Sequence, residues 1–369
     1  MTENPEYLST QLITCIGNKR ALLPFIGEGV AIARGRLGKP AGEGLDILDA
    51  FAGSGVVSRY LKREARRLVS NDLERYSEAV GRSHLANSGA LDLPRLREVH
   101  AELVARLETG PLEAGFIAEL YAPVDDADPR PGERVFYTRR NALFIDSARR
   151  LLEGLPAADR DFFLGPLLAE ASVHANTAGV FKGFYRDART GVGRFGGSKS
   201  DALARIRGPV ALPFPVMSRF ECEVEVRRGD ALEAARAAGR LDVAYLDPPY
   251  NQHPYGSNYF MLNLVADYER PSAVSEVSGI PGDWLRSDYN ARRGAKAALE
   301  ALVEALDASF VLLSFNSEGF FTLEELRAML ERRGRVEVLE RDHPVFRGSR
   351  NLHARGKRLS EYLFVLEKE

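Results

Sequence analysis

Residues 45–55, Leu-Asp-Ile-Leu-Asp-Ala-Phe-Ala-Gly-Ser-Gly, decide the fold of this chain. The stretch opens with mostly apolar residues that predict a short strand, and residues 51–55 predict a tight turn. Residues 56–65 then have apolar side chains at helical spacing, and residues 67–70 predict a second strand. A strand, a helix and a strand in succession form a βαβ unit, so the sequence predicts a parallel sheet.

The same alternation resumes near residue 223 and continues to the C-terminus. Two adjacent prolines at 248 and 249 cannot continue a central strand, so the chain must turn there. The predicted strands are residues 224–227, 241–246 and 310–315 with a closing pair at 335–339 and 359–366, and the predicted helices are 229–238, 295–306 and 323–333.

Residues 85–220 interrupt this pattern with helical stretches at 93–109 and 159–178 and a basic, aromatic, glycine-rich segment at 181–207. We therefore predict an α/β fold with a mixed, mainly parallel sheet and an inserted, mostly helical domain. The predicted division is a main domain of residues 1–84 and 221–369 with residues 85–220 inserted.

Composition is that of an ordinary globular protein: 369 residues, 45% hydrophobic, 28% charged, with a net charge of −2. The two cysteines, Cys15 and Cys222, are far apart in sequence, which disfavours a disulfide framework or a zinc site and fits a cytoplasmic location. The sequence has no long apolar run of the kind that would indicate secretion or membrane insertion. The sequence pI of about 6.4 argues mildly against a nucleic-acid partner, although local basic patches suffice for phosphate contacts.

The turn after the first predicted strand offers backbone to a ligand. Its residues Asp49, Phe51, Ala52, Gly53 and Gly55 precede a helix whose first N–H groups have no partner within the helix. The turn is not a phosphate-binding GK[ST] loop and lacks the full GxGxxG spacing. The alternative is a plain strand–helix turn that binds nothing.

Two acidic residues end predicted strands. Asp72 follows the second strand, where an acid commonly accepts hydrogen bonds from both ribose hydroxyls of an adenosine-type cofactor; the alternative is a helix N-cap. Asp247 ends a third strand and is followed by Pro248, Pro249 and Tyr250. The prolines make the turn stiff and the tyrosine offers a flat face, whereas the alternative is a simple proline turn with an exposed tyrosine.

These separated motifs resemble those of the D12 class, the Dam-like adenine-specific DNA methyltransferases, over nearly the whole chain. The order is the same as in that family: cofactor motifs, a variable insertion, then the catalytic Asp-Pro-Pro-Tyr. The resembling segments are residues 16–20, 49–55, 71–72, 229–230, 247–250, 251–259 and 314–319.

The resemblance implies a Rossmann-like methyltransferase fold, S-adenosylmethionine as cofactor, double-stranded DNA as substrate and no metal. Its implied catalytic residues are Asp247, Pro248, Pro249 and Tyr250, with Asn251 and Tyr259 near the substrate. Its implied cofactor-binding residues are Gly17, Asn18, Lys19, Asp49, Phe51, Ala52, Gly53, Gly55, Asp72 and Asp230.

Chemistry supports this assignment. The amino nitrogen of adenine is a poor nucleophile, and two acceptors, the Asp247 carboxylate and the Pro248 carbonyl, would orient its lone pair for direct methyl transfer. A base inside a duplex must flip out to reach such a site, and stacking on Tyr250 offsets part of that cost.

Several alternatives stay open at this point. The basic segment predicts DNA contacts by Lys182, Tyr185, Arg186, Arg194 and Lys199, but it is also compatible with a solvated loop. The same fold methylates RNA bases or protein amides in other families, and a non-catalytic DNA-binding module is conceivable. Whether a separate restriction endonuclease is a partner cannot be read from the sequence.

Overall fold

The computed structural model describes residues 2–15, 17–197, 202–249, 254–317, 319–344 and 358–369. Within it the chain forms two compact units. The helical unit comprises Met1–Gly17, Ala79–Arg219 and Tyr255–Leu285. The sheet unit comprises Asn18–Glu78, Phe220–Pro254 and Arg286–Glu369. That residues 85–220 serve DNA recognition, with the remainder catalytic, stays a prediction.

The sheet unit is built on one seven-stranded sheet with the order β3-β2-β1-β4-β5-β7-β6. The first five strands in chain order pair in parallel, and β7 runs antiparallel to both β5 and β6. The predicted α/β class with a mixed, mainly parallel sheet is therefore confirmed. The strands are β1 (Leu45–Asp49), β2 (Ala65–Asp72), β3 (Glu223–Arg228), β4 (Leu241–Leu246), β5 (Ala308–Asn316), β6 (Gly334–Pro344) and β7 (Arg358–Lys368).

The helices are divided between the two units. Their bounds are α1 (Pro5–Ser9), α2 (Leu23–Arg36), α3 (Val56–Leu61), α4 (Arg75–His84), α5 (Leu93–Thr109), α6 (Phe116–Tyr121), α7 (Arg139–Glu153), α8 (Ala157–Val173), α9 (Leu203–Arg207), α10 (Ala231–Ala237), α11 (Tyr255–Asn258), α12 (Phe260–Asp267), α13 (Arg292–Ala305) and α14 (Leu323–Glu331).

One face of the sheet packs against α10, α13 and α14. Strand residues such as Leu48, Val69 and Val311 are fully buried there with helix residues such as Leu302 and Leu330. Burying one such side chain contributes about 1.5–3 kcal/mol, so this layer supplies much of the unit's stability. On α2, a Cβ placed on Gly29 would lie 2.6 Å from the Leu363 side chain, so the helix approaches the sheet closely.

Two helices end four or five residues earlier than predicted. Helix α3 ends at Leu61 and a 3₁₀ turn follows, because Ala65 already pairs with Leu45 in the sheet. Helix α8 ends at Val173 instead of continuing to residue 178. Beyond it the Asn176 backbone N–H donates to Phe136 O at 2.7 Å, which draws the chain away from the helix axis.

The sheet order positions a ligand site. The chain runs outward from β1 to β2 and β3, and then returns to place β4 on the other side of β1. Open α/β sheets bind ligands at such a reversal, outside the carboxyl ends of the strands. Asp49 ends β1 and Asp247 directly follows β4, so both carboxylates lie at this edge.

In the described part of the chain, none of the helices is both long and apolar enough to cross a membrane. Across those same residues, no group of three or more His, Cys, Asp or Glu side chains is arranged to hold a metal ion.

Candidate active site

The loop after β1 has the geometry of a ligand cradle. Gly53 and Gly55 have φ angles of +54° and +72°, in the left-handed region that favours glycine. The loop is fixed by the Ala52 N–H, which donates to Asn71 O at 2.9 Å, and by the Gly55 N–H, which donates to Ala52 O at 2.8 Å. Among the described residues and apart from its chain neighbours, the nearest atom to a Cβ on Gly53 would be Phe51 O at 4.0 Å, so the backbone here is open to an incoming group.

Asp72 is held in place by two backbone N–H groups. Gly53 N donates to its Oδ2 at 2.7 Å, and Glu74 N donates to its Oδ1 at 2.9 Å. Burial raises the pKa of Asp72, and the backbone hydrogen bonds oppose that rise. The carboxylate thus holds the backbone just before α4, which begins at Arg75, and each of its oxygens keeps acceptor capacity for a ligand hydroxyl.

Two neighbouring polar residues organise the adjoining strand ends. The Asn71 side-chain amide donates to Ala50 O and to Gly229 O, both at 3.2 Å, and so ties β1, β2 and β3 together. Asp230 accepts the Leu232 N–H at 2.8 Å and caps α10. Its predicted place near the cofactor stays a prediction.

The Asp49 carboxylate is fully buried. Its Oδ2 accepts a hydrogen bond from Ser58 Oγ at 2.7 Å, and Ser58 Oγ lies 2.8 Å from Ser70 Oγ. Its Oδ1 has no hydrogen-bond partner among the described residues. Burial raises the pKa of Asp49 to about 7, the Ser58 hydrogen bond opposes this, and the charges of Asp247 and Asp72 add to it. The two serines were not predicted from the sequence.

We expect Asp49→Asn to make stability less dependent on pH. Because the folded-state pKa lies above the unfolded value, the carboxyl destabilises the folded protein increasingly as pH rises from about 4 to 7. The stability of the variant relative to the parent should therefore be about 2 kcal/mol greater at pH 8 than at pH 5. Urea unfolding at the two pH values measures this difference, and an equal effect at both would contradict the assigned titration.

Lys19 forms a buried ion pair with the predicted catalytic acid. Its Nζ lies 3.0 Å from Asp247 Oδ2, and Lys19 is only 4% exposed. Asn18 positions this segment, since its side-chain oxygen accepts the Arg20 N–H at 2.8 Å and caps the 3₁₀ turn Lys19–Leu22. Burial raises the pKa of Asp247, and Lys19 opposes the rise by its charge and its hydrogen bond. The predicted contact of Lys19 with the cofactor stays a prediction.

Two further polar groups at this edge escaped the sequence reasoning. Tyr245 is buried, and its phenol is influenced by Asp247, Lys19 and Asp49; burial raises its pKa well above the ordinary value. Glu361 on β7 is 7% exposed and interacts electrostatically with Lys19 and Asp247. Neither lies in a recognisable motif, so no local sequence signal identified them.

The other described residues predicted to bind the cofactor or to act in catalysis have varied surroundings. The Phe51 ring packs edge-on against Tyr289, with ring centroids 5.0 Å apart, and Ala52 is buried. Pro248 is buried and Pro249 half-buried after β4. Gly17 belongs to the helical unit and has a φ angle of +73°.

The predicted substrate residues of the helical unit are partly engaged in its own structure. The Arg186 guanidinium donates to Val277 O, and that of Arg194 donates to Gly197 O, both at 2.6 Å. Lys182 is exposed, Tyr185 is half-buried, and Tyr259 is fully buried against Tyr255. Ile16, Lys199, Tyr250, Asn251 and His253 lie outside the described residues.

Comparisons with known proteins agree with this site. Residues 215–329, which include the Asp247 turn, match the model of the family described as D12 class N6 adenine-specific DNA methyltransferase. The chain is 29% identical to the type II methyltransferase M.NlaIII of Neisseria lactamica over 328 residues, 87% of this chain and 90% of that protein. It is 28% identical to the type II methyltransferase M.CviAII of Paramecium bursaria Chlorella virus 1, over 86% of this chain and 89% of that one.

A longer relative is the modification methylase LlaI of Lactococcus lactis subsp. lactis, which is 25% identical over 96% of this chain but only 54% of its own length. The sheet order places Asp49 and Asp247 at the β1–β4 reversal, the position at which open α/β sheets bind ligands. The family match over residues 215–329 and the two relatives aligned over most of their length indicate a DNA methyltransferase.

Proposed function

We propose that this protein transfers a methyl group from S-adenosylmethionine to the N6 amino group of an adenine in double-stranded DNA. The observation that carries the proposal is the buried Lys19–Asp247 pair, followed by two prolines, at the switch point of the sheet. Such an arrangement would fix the direction of an acceptor carboxylate where an amino group enters.

The residues at the β1 and β2 ends fit the proposed cofactor. The open backbone at Gly53 and the Asp72 carboxylate suit a nucleoside. The buried Asp49 Oδ1, which has no hydrogen-bond partner among the described residues, suits a cationic group. S-adenosylmethionine, when bound, supplies the methyl group on a sulfonium centre. We assign Asp72 to the ribose and Asp49 to the positive charge of the ligand.

We expect Asp72→Ala to weaken S-adenosylmethionine binding about 10- to 100-fold, because hydrogen bonds to a charged group contribute about 1.5–3 kcal/mol. Isothermal calorimetry on the DNA-free protein measures the affinity. Loss of the Glu74 contact should also lower the melting temperature slightly. A lower melting temperature with unchanged affinity would leave Asp72 with only its role in holding the backbone before α4.

Asp247 and Pro248 would act on the amino group. The carboxylate and the Pro248 carbonyl each accept one N–H of the target amine, which favours a pyramidal nitrogen with its lone pair directed at the methyl group. As the nitrogen bonded to the methyl carbon and the methyl–sulfur bond broke, the nitrogen would gain the positive charge that the sulfonium loses, and the Asp247 carboxylate would stabilise that charge. The surplus proton leaves the nitrogen after transfer, so Asp247 need not be a strong base.

DNA binding is the less well supported part of the proposal. The target base would flip out of the duplex and stack on Tyr250, an assignment that rests on the family resemblance. Lys182 is exposed and suits a phosphate contact, whereas the guanidinium groups of Arg186 and Arg194 already donate to backbone carbonyls.

The names of the relatives suggest a biological setting. M.NlaIII and M.CviAII are type II methyltransferases, so we propose that this chain is the modification enzyme of a restriction–modification system in the cytoplasm. A separate cognate endonuclease is part of that proposal.

A methyl-transfer assay tests the function. The protein is incubated with S-adenosylmethionine labelled in the methyl group and, in parallel, with unmethylated genomic DNA, ribosomal RNA and a protein mixture. Mass spectrometry of digested DNA should reveal N6-methyldeoxyadenosine. Label confined to RNA or protein would overturn the substrate, and DNA binding without any label would indicate a non-catalytic module.

A further inference from the structure

The strand register brings Glu361 to the carboxyl edge of the sheet. Leu246, the residue before Asp247, pairs with Leu313 on β5, and three residues further along β5 Asn316 pairs with Glu361 on β7. Because β7 runs antiparallel, the early part of this strand lies beside the end of β5. Glu361 thus lies at the same edge as Asp247 despite its distance in sequence.

Glu361 is a buried carboxylate in a charged setting. Its Oε2 has no hydrogen-bond partner in the part of the chain that the structure describes. Burial raises the pKa of Glu361, the Lys19 charge opposes that rise, the Asp247 charge adds to it, and a hydrogen bond with Asn316 opposes it. Arg341 pairs with Glu361 across the β6–β7 ladder, but its guanidinium contacts Glu28.

We infer that Glu361 is a positioning residue for methyl transfer: its buried carboxylate adds a second negative charge at the edge that holds the Lys19–Asp247 pair, and so keeps the Asp247 carboxylate a strong acceptor for the amino group of the target base. This inference rests on the proposed function. It assigns to the last strand of the sheet a part in the reaction that neither the family match, residues 215–329, nor any motif covers.

The net charge of the cluster is the physical reason that Glu361 would assist methyl transfer. Lys19 with Asp247 alone is a neutral pair, and its ammonium would compete with the incoming amine for the carboxylate oxygens. Lys19 with both carboxylates carries one net negative charge, close to where the amino nitrogen gains positive charge. In a buried site, such a fixed charge stabilises the transition state more than it would in water. Tyr245 and Asp49 also face this cluster and would feel the same field.

The test compares Glu361→Gln with Glu367→Gln, a matched change on the same strand at an exposed residue that pairs with Arg36. We expect Glu361→Gln to lower kcat about 10- to 100-fold with KM for DNA nearly unchanged. The acid limb of the kcat/KM profile should move to lower pH, because Asp247 loses a negative neighbour. Glu367→Gln should leave both unaltered. An unchanged kcat in Glu361→Gln would overturn the inference.

A second measurement does not depend on activity. In ligand-free protein labelled with ¹³C at the aspartate carboxyls, the Asp247 signal is assigned by its absence in Asp247→Asn. Its titration midpoint should fall in Glu361→Gln and stay constant in Glu367→Gln. If kcat and the melting temperature fell in Glu361→Gln while the Asp247 titration midpoint did not move, the role of Glu361 would be structural only. A moved midpoint in a protein that methylates no substrate would refute the proposed function and leave the coupling of the two carboxylates intact.

Discussion

Asp247→Asn should lower the rate of methyl transfer by a factor of about 10³ while S-adenosylmethionine affinity changes by less than about threefold. In the parent, Lys19 Nζ lies 3.0 Å from one Asp247 oxygen, which leaves the other for the target amine. In the variant, Lys19 would take the single amide oxygen, and the amide NH₂ would face the amine, donor against donor. Single-turnover rates with saturating DNA, together with calorimetry for the cofactor, measure the two effects separately.

Strand β4 offers a matched control for this substitution. Asp242, near the start of the same strand, also pairs with a lysine: its Oδ2 lies 2.7 Å from Lys39 Nζ and accepts the Asp46 N–H at 2.8 Å. Asp242→Asn removes an equivalent charge far from the carboxyl edge, so the rate should stay within about twofold of the parent. If Asp247→Asn kept more than a tenth of the parent rate, the acceptor role of Asp247 would be wrong.

The local parts of the site could be predicted from the sequence because each depends only on residues that are adjacent along the chain. The apolar run 241–246 and the two prolines predicted both the strand and its end, and β4 has those bounds in the structure. The loop at 49–55 likewise follows β1 as expected, with left-handed Gly53 and Gly55.

The long-range parts could not be predicted, since they depend on which strands become neighbours. Glu361 reaches the site only because β7 inserts between β5 and β6, an order that hydrophobic periodicity does not specify. Ser58 could not be predicted for a similar reason. A polar residue in a short helix is expected at the surface, yet Ser58 is fully buried and its hydroxyl donates to Asp49.

Charge patterns were the weakest guide to function. The segment at 181–207 has the composition of a DNA-binding loop, but Arg205 donates to the Ala175 and Thr177 carbonyls beyond α8. Lys19 could equally have been a solvated cation on the basis of sequence, and the structure instead buries it against Asp247. Composition reports how many charges a segment holds, and only the fold determines which of them already have partners.

Lys19→Met should cost both stability and activity. Removing one partner of a buried ion pair leaves the Asp247 charge uncompensated, so the free energy of unfolding at pH 7.5 should fall by about 3–5 kcal/mol. The matched control is Lys39→Met, which breaks the more exposed pair with Asp242 and should cost about 1 kcal/mol or less. Urea unfolding compares the two variants, and equal losses would contradict the importance given to burial at Lys19.

The pH dependence of Lys19→Met separates an electrostatic role from a merely structural one. Lys19 opposes the effect of burial on Asp247, so its removal should raise the pKa of that carboxyl further. Methyl transfer should fall at least about 100-fold near pH 7 and recover partly as pH rises, because a higher pH restores the ionised acceptor. The free energy of unfolding of Lys19→Met should have the opposite pH dependence to its methyl-transfer rate. It should increase as pH falls, since protonated carboxyls need no counter-charge. The acid limb of the kcat/KM profile should thus move to higher pH in Lys19→Met and to lower pH in Glu361→Gln. Movement in the same direction would be incompatible with opposite electrostatic effects of Lys19 and Glu361 on Asp247.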